Sequence, residues 1–202
     1  LKTKLIITIA SLVVVSMSTL GTFNLIKAKN VALELLDSDA QNTLTARSDA
    51  ITQWISNKSS IINSLTSISD AEPLPSLVQA SKGGGFDTVY IGYNDKRYVF
   101  SSPQNVPADW DPTSRPWYKQ AAASDKLVLT DPYVDAGTKK LVMTFSMALK
   151  ENSSVKSVIA GDVFMDAVSS SVNSIIPTPS SEAFIVSKSG KIIVHKNLDL
   201  IL

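Results

Sequence analysis

The chain has no cysteine and a single histidine, His195, in 202 residues. Thiol catalysis, disulfide staples and most transition-metal sites are thereby ruled out, so no metal or other cofactor is expected. An excess of charge of either sign is missing as well. Lys plus Arg number 19 against 18 Asp plus Glu, so there is no electrostatic footprint for nucleic acid and no polyanionic partner is expected. There is no nucleophile elbow of the G-x-S-x-G type, which leaves a membrane-anchored hydrolase using Ser and Asp as a remote alternative and a non-enzyme as the reading. Glycine and proline are absent from residues 30–69, so nothing in that stretch interrupts a helix.

One long uncharged run stands out. Residues 5–26 carry no charge over 22 positions and are flanked by Lys2 and Lys4 on one side and Lys27 and Lys29 on the other. At 1.5 Å per residue such a run spans the roughly 30 Å core of a bilayer. A cleaved secretory signal has a shorter apolar core, about 7–15 residues, before a small-x-small site. Here the run continues through Phe23, Leu25 and Ile26, which favours an uncleaved anchor with residues 1–4 inside and the remainder outside.

Beyond it, Leu44, Ile51, Ile55, Ile62, Leu65 and Ile68 recur at helical intervals. They predict a long helix over residues 27–71, whose apolar stripe packs either on its own domain or against a second copy. The proline pair Pro73 and Pro75 is expected to end it, and Gly83-Gly84-Gly85 to form a turn into a strand. Alternating segments at 86–93, 97–101, 127–129, 140–149 and 155–164 then predict antiparallel strands, with a short helix at 115–123 capped by Thr113 or Ser114. The class is α+β. After Pro177 and Pro179 a second hairpin is expected, strands 183–186 and 192–195 about a turn at 188–190. Two strands are not independently stable, so a second module reads as cut short. His195 reads as a solvent-facing or strand-end residue.

The chemistry is concentrated between residues 109 and 162. Asp162 lies in an otherwise apolar strand, 158–164, and a lone buried carboxylate needs a cationic or hydrogen-bonding partner or a cavity to face. Arg115, Trp117 and Trp110 offer donors suited to a carboxylate, while Asp162, Asp135 and the Tyr133 phenol can accept from an ammonium. An internal ion pair between Arg115 and an aspartate, with Trp117 and Tyr118 as core aromatics, accounts for the same residues. On the neighbouring strand Thr144, Ser146 and Ala148 form a small polar wall opposite Met143, Phe145 and Met147.

Arg115-x-Trp117-Tyr118, followed by Tyr133-x-Asp135 and then Gly161-Asp162, resembles the amino-acid-recognition motif of double Cache (dCache) sensor domains of bacterial methyl-accepting chemotaxis receptors. The resemblance implies PAS-like antiparallel-sheet modules on one long helix: a membrane-distal module at 72–176 holding the ligand pocket and the start of a membrane-proximal one at 177–202. It places Trp110, Arg115 and Trp117 at the ligand carboxylate and Tyr118, Tyr133, Asp135 and Asp162 on the amino-group side. Trp110 departs from the pattern, since the family generally has Tyr there. The implied function is extracytoplasmic sensing of an L-amino acid or related amine for chemotaxis, in the bacterial inner membrane with the sensor in the periplasm and a homodimer through the long helix. The same sensor on a histidine kinase or a cyclic-dinucleotide enzyme is the alternative.

Overall fold

The computed structural model describes residues 2–68, 70–173, 182–187, 190–195 and 197–201. The chain divides into two compact units, Leu1–Thr52 and Gln53–Leu202. The first unit is helical throughout its described length, as part of α1 (Lys2–Ser64). The apolar side chains of residues 5–26, Leu5, Ile9, Leu12 and Leu20 among them, are exposed. The most apolar 18-residue window has a mean hydropathy of 2.0, so this is a helix long and apolar enough to cross a membrane. Thr8, Thr19 and Thr22 turn their hydroxyls back to carbonyls four residues earlier, which satisfies them without water.

The second unit is built on an antiparallel sheet. It comprises β1 (Thr88–Tyr93), β2 (Tyr98–Phe100), β3 (Val128–Leu129), β4 (Tyr133–Val134), β5 (Leu141–Glu151) and β6 (Ser154–Phe164), in the order β2-β1-β6-β5-β3 with β4 also on β5. The long hairpin β5–β6 turns through Asn152 and Ser153, both left-handed at φ 50° and 66°, the geometry that matches the twist of paired strands. Alternation then sorts the sheet into two faces. On one, Val89, Ile91, Phe145, Ile159 and Val163 pack against Ile62 from the last turn of α1, Leu65 just after it and Leu77 of α2 (Leu74–Gly84). On the other, Tyr90, Ala148, Val158 and Ala160 pack against Trp117, Tyr118 and Ala121 of α3 (Pro116–Ala122).

The α+β class is as expected, but several local expectations are corrected. The long helix stops at Ser64 with one 3₁₀ turn, Leu65–Ser67, well before the prolines. Pro73 and Pro75 instead open α2, as its N-cap and in its first turn, where a missing amide proton costs nothing. Gly83 and Gly84 belong to that helix, and only Gly85, at φ 60°, makes the turn. Lys58 closes the end of α2 by donating to the carbonyls of Gly84, at 2.6 Å, and Gly85; burial lowers its pKa, outweighing the pull of Asp87. Neither Thr113 nor Ser114 caps α3. Its N-cap is Arg115, and the two residues sit in a 3₁₀ turn that Asp111 caps by accepting from the Thr113 amide.

Helix α4 (Met165–Asn173), which has no counterpart in the expectations above, joins Met143 and Val194 in a small third core. The second hairpin is present as β7 (Ile185–Val186) and β8 (Ile192–Val194); Pro177, Pro179 and the turn residues Lys188 and Ser189 lie outside the described residues. His195 is at the strand end but buried, accepting at Nδ1 from the Asn197 amide with Glu182 3.8 Å from Nε2. Its strand packs on α4, which is why the solvent-facing expectation fails.

Gly161 shows how closely the first face is packed. A Cβ there would lie 2.8 Å from the Phe86 ring and 2.9 Å from Ile62, both buried. Gly161→Ala is expected to lower the unfolding free energy by about 1–3 kcal/mol through overpacking, measured as a lower denaturation midpoint at unchanged slope.

Candidate functional site

The second face of the sheet opens into a cleft lined from three directions. Thr88 and Tyr90 of β1 and Asp162 and Phe164 of β6 form its floor; Phe100, Gln104, Val106 and Trp110 come from β2 and the segment leading to α3; Asp135, Gly137 and Thr138 come from the β4–β5 turn. It encloses about 420 Å³ counted out to its mouth, of which about 30 Å³ is reachable by the centre of a water molecule. The larger figure takes in open solvent at the mouth; the enclosed part is narrow, with room for about one or two water molecules.

Asp162 sits at the bottom. Pairing puts it between Thr88 on β1 and Thr144 on β5, and only 4% of it is exposed. Its Oδ1 accepts from the Tyr90 hydroxyl at 2.9 Å and the Thr144 hydroxyl at 2.6 Å. Tyr133 is joined to the same group by a 2.7 Å bond between its hydroxyl and that of Thr144. No cation is within ion-pair distance of it among the described residues. Burial pushes the carboxyl up to about 7, with Thr144 and Tyr90 pulling against it and the charges of Asp135 and Asp87 adding to it. Burial also raises the Tyr90 and Tyr133 phenols, so both stay protonated and can donate.

Asp135 fixes the β4–β5 turn. Its Oδ2 accepts from the amides of Gly137 and Thr138 at 3.1 and 2.7 Å and from the Thr138 hydroxyl at 2.8 Å. Trp110 belongs to an aromatic wall, its ring centroid 4.8 Å from Tyr98 and 5.4 Å from Phe100. Trp110, Asp135 and Asp162 therefore meet in the cleft, with Tyr133 one hydrogen bond away.

The remaining three residues lie on or beside α3, outside the cleft lining. Trp117, 1% exposed, stands edge-on to Tyr90 at 5.0 Å and backs that wall. The Tyr118 hydroxyl is buried with no hydrogen-bond partner among the described residues. Arg115 is half-buried, and its guanidinium has no ion pair among them, so the internal Arg–Asp bridge is not formed. Tyr90 and Thr88 were missed in the sequence: they share a face with Asp162 only once the β1–β6 register is known. Asp87, at the cleft edge, sits just before β1, where no pattern singles it out.

These features define a PAS-like α+β module with a narrow cleft of polar and aromatic side chains on one sheet face. The chain belongs to the Cache-domain family: the dCache-type Cache domain profile matches residues 27–202. It is 31% identical to the methyl-accepting chemotaxis protein PscA of Pseudomonas syringae pv. tomato over 98% of this chain and 33% of that one. It thus spans about a third of that relative. Among solved structures it resembles the ligand-binding domain of the Pseudomonas fluorescens chemoreceptor CtaA in complex with L-isoleucine. The TM-score is 0.66 at 26% identity, covering 75% of this chain and 65% of that one. The ligand-binding domain of the Pseudomonas aeruginosa amino acid chemoreceptor PctB in complex with L-Arg gives 0.64 at 29% identity, with 73% and 65% covered.

The raised pKa of Asp162 has a stability consequence. Because the folded value, about 7, lies above the unfolded one near 3.9, the folded state holds the extra proton between them. The contribution is complete below about pH 4 and is lost as pH rises through about 7. Asp162→Asn is expected to remove a decline of a few kcal/mol over that interval, measured as the wild-type minus variant unfolding free energy from pH 4 to 8.

Proposed function

We propose that this chain is the membrane-anchored sensing region of a chemotaxis receptor that binds an L-amino acid in the cleft over Asp162. The observation that carries the reading is Asp162 itself: a buried carboxyl at the cleft floor, with one oxygen engaged by Tyr90 and Thr144 and the other without a donor among the described residues. A ligand ammonium supplies that missing donor. Asp135 and Tyr133 stand beside it as further acceptors, and Tyr118, outside the cleft lining, has an unspent hydroxyl that a movement of α3 would bring toward the ligand. The ligand carboxylate goes to Trp110 and Arg115, whose guanidinium is free to pair, with Trp117 holding the wall next to it. Since Arg115 does not line the cleft, binding includes a movement of that side chain or of α3 toward the ligand.

The amino acids bound to CtaA and PctB support this reading, as does the kinship with chemotaxis proteins. Residues 5–26 serve as the anchor in the inner membrane and the second unit lies in the periplasm. Residues 27–71 form the signalling helix and a dimer seam, 72–176 the distal module, and 177–202 the beginning of a proximal one.

A micromolar dissociation constant, about −8.2 kcal/mol, is within reach of a few charge-assisted bonds of roughly 1.5–3 kcal/mol each. Calorimetric titration of the detergent-solubilised chain with the twenty amino acids is expected to find at least one that binds. Asp162→Ala and Arg115→Ala are each expected to weaken it by about a hundredfold with unchanged circular dichroism. Affinity should fall as pH drops below about 7, where the Asp162 carboxyl takes up a proton that the ammonium must displace. Failure of all twenty to bind, or full affinity in Asp162→Ala, contradicts the reading.

A further inference from the structure

Resting on the amino-acid reading above, we propose that the cleft selects an amino acid whose side chain carries a second positive charge, and that Asp87 is the residue that reads it. Three carboxylates, Asp87, Asp135 and Asp162, line the cleft, and no Lys, Arg or His does so among the described residues. One α-ammonium accounts for Asp162 and Asp135. It leaves Asp87 unanswered, and a ligand with no net charge leaves the surplus of negative charge in place.

Each of the three carboxylates is prepared in the same way. Asp162 spends Oδ1 on Tyr90 and Thr144, Asp135 spends Oδ2 on the Gly137–Thr138 turn, and Asp87 spends Oδ2 on the Phe164 amide at 2.8 Å. In each the second oxygen has no donor among the described residues, so the group is oriented yet still able to accept. The three feel one another: the charges of Asp135 and Asp87 both act on the Asp162 carboxyl. That repulsion favours a cation over a neutral guest.

Depth assigns the roles. Asp162 is buried at the floor, whereas Asp87 is exposed, although its amide donates to the Asp162 carbonyl at 3.0 Å. A ligand held by its α-ammonium at the floor therefore runs its side chain toward the mouth and Asp87. On the way the aliphatic stem meets Tyr90, Phe100 and Trp110, faces that accept both methylenes and a cationic end.

The lysines near the lining do not fill the place of that second charge. Lys58 is attracted to Asp87 but gives its hydrogens to the Gly84 and Gly85 carbonyls. Lys140 lies over the Phe164 ring at 4.6 Å, and neither forms an ion pair with Asp87.

L-Lysine and L-norleucine differ only by the terminal amine, so they isolate the charge. In calorimetric titrations of the detergent-solubilised chain, lysine is expected to bind roughly five- to tenfold tighter than norleucine, the modest ratio reflecting an exposed partner. Asp87→Asn keeps an acceptor for the Phe164 amide. It is expected to bring the ratio of lysine to norleucine affinity, measured within the variant, to about one, with the circular dichroism of the wild type. If norleucine binds as well as lysine, or Asp87→Asn leaves the preference intact, the charge-reading role is overturned while the amino-acid reading stands. If neither ligand binds and no other amino acid does, both fall together.

Discussion

The molecule is organised by a carboxyl group that is almost wholly withdrawn from water. Asp162 sits in the centre of a six-stranded sheet, on a strand whose other face is sealed by Phe86 and Ile62 against Gly161. Such burial is costly unless the group is hydrogen-bonded or neutral. Here two hydroxyls, from Tyr90 and Thr144, offset part of the cost at one oxygen, and the raised pKa shows that the offset is incomplete. On the function proposed above, a ligand ammonium recovers the remainder by taking the place of a proton. The aromatic wall and the pinned Asp135 turn hold the rest of the cleft around that point.

The two sheet faces divide the labour. The face of Val89, Ile91 and Ile159 is a dense hydrocarbon core that clamps the last turns of α1 and all of α2 to the sheet. Lys58 strengthens that clamp by satisfying carbonyls at the end of α2, next to Phe86 and Asp87. A change at the cleft mouth therefore lies two residues from a contact made by α1 itself. On the function proposed above, this is the short route by which a bound guest would act on Lys58.

Much of this was legible in the sequence, for physical reasons that differ by element. Strands β1, β5 and β6 announce themselves because one face is apolar and the other carries Thr, Ser and Asp, and the apolar run of α1 is long enough to span a bilayer. Asp162 was visible because a charge amid Val, Ile and Phe is a local contradiction. What escaped depends on long-range placement. The prolines before α2 carry no mark that says whether they end one helix or begin another, since both uses exploit the missing amide proton. Helix α4 is short and rich in serine, so its stability comes from Met143 and Val194 of other strands. The resemblance named Arg115, Trp117 and Tyr118, yet the structure keeps them on or beside α3, outside the cleft lining, with Trp117 edge-on to Tyr90. Tyr90 and Asp87 gain meaning only through register.

The most direct test of the central idea is infrared difference spectroscopy of the carboxyl stretch at about pH 6, with Asp162→Asn identifying the band. Adding a bound amino acid should remove a protonated-carboxyl band that the variant lacks, as the ammonium replaces the proton. Persistence of that band on ligand binding, or its absence from the wild-type protein, would contradict the account.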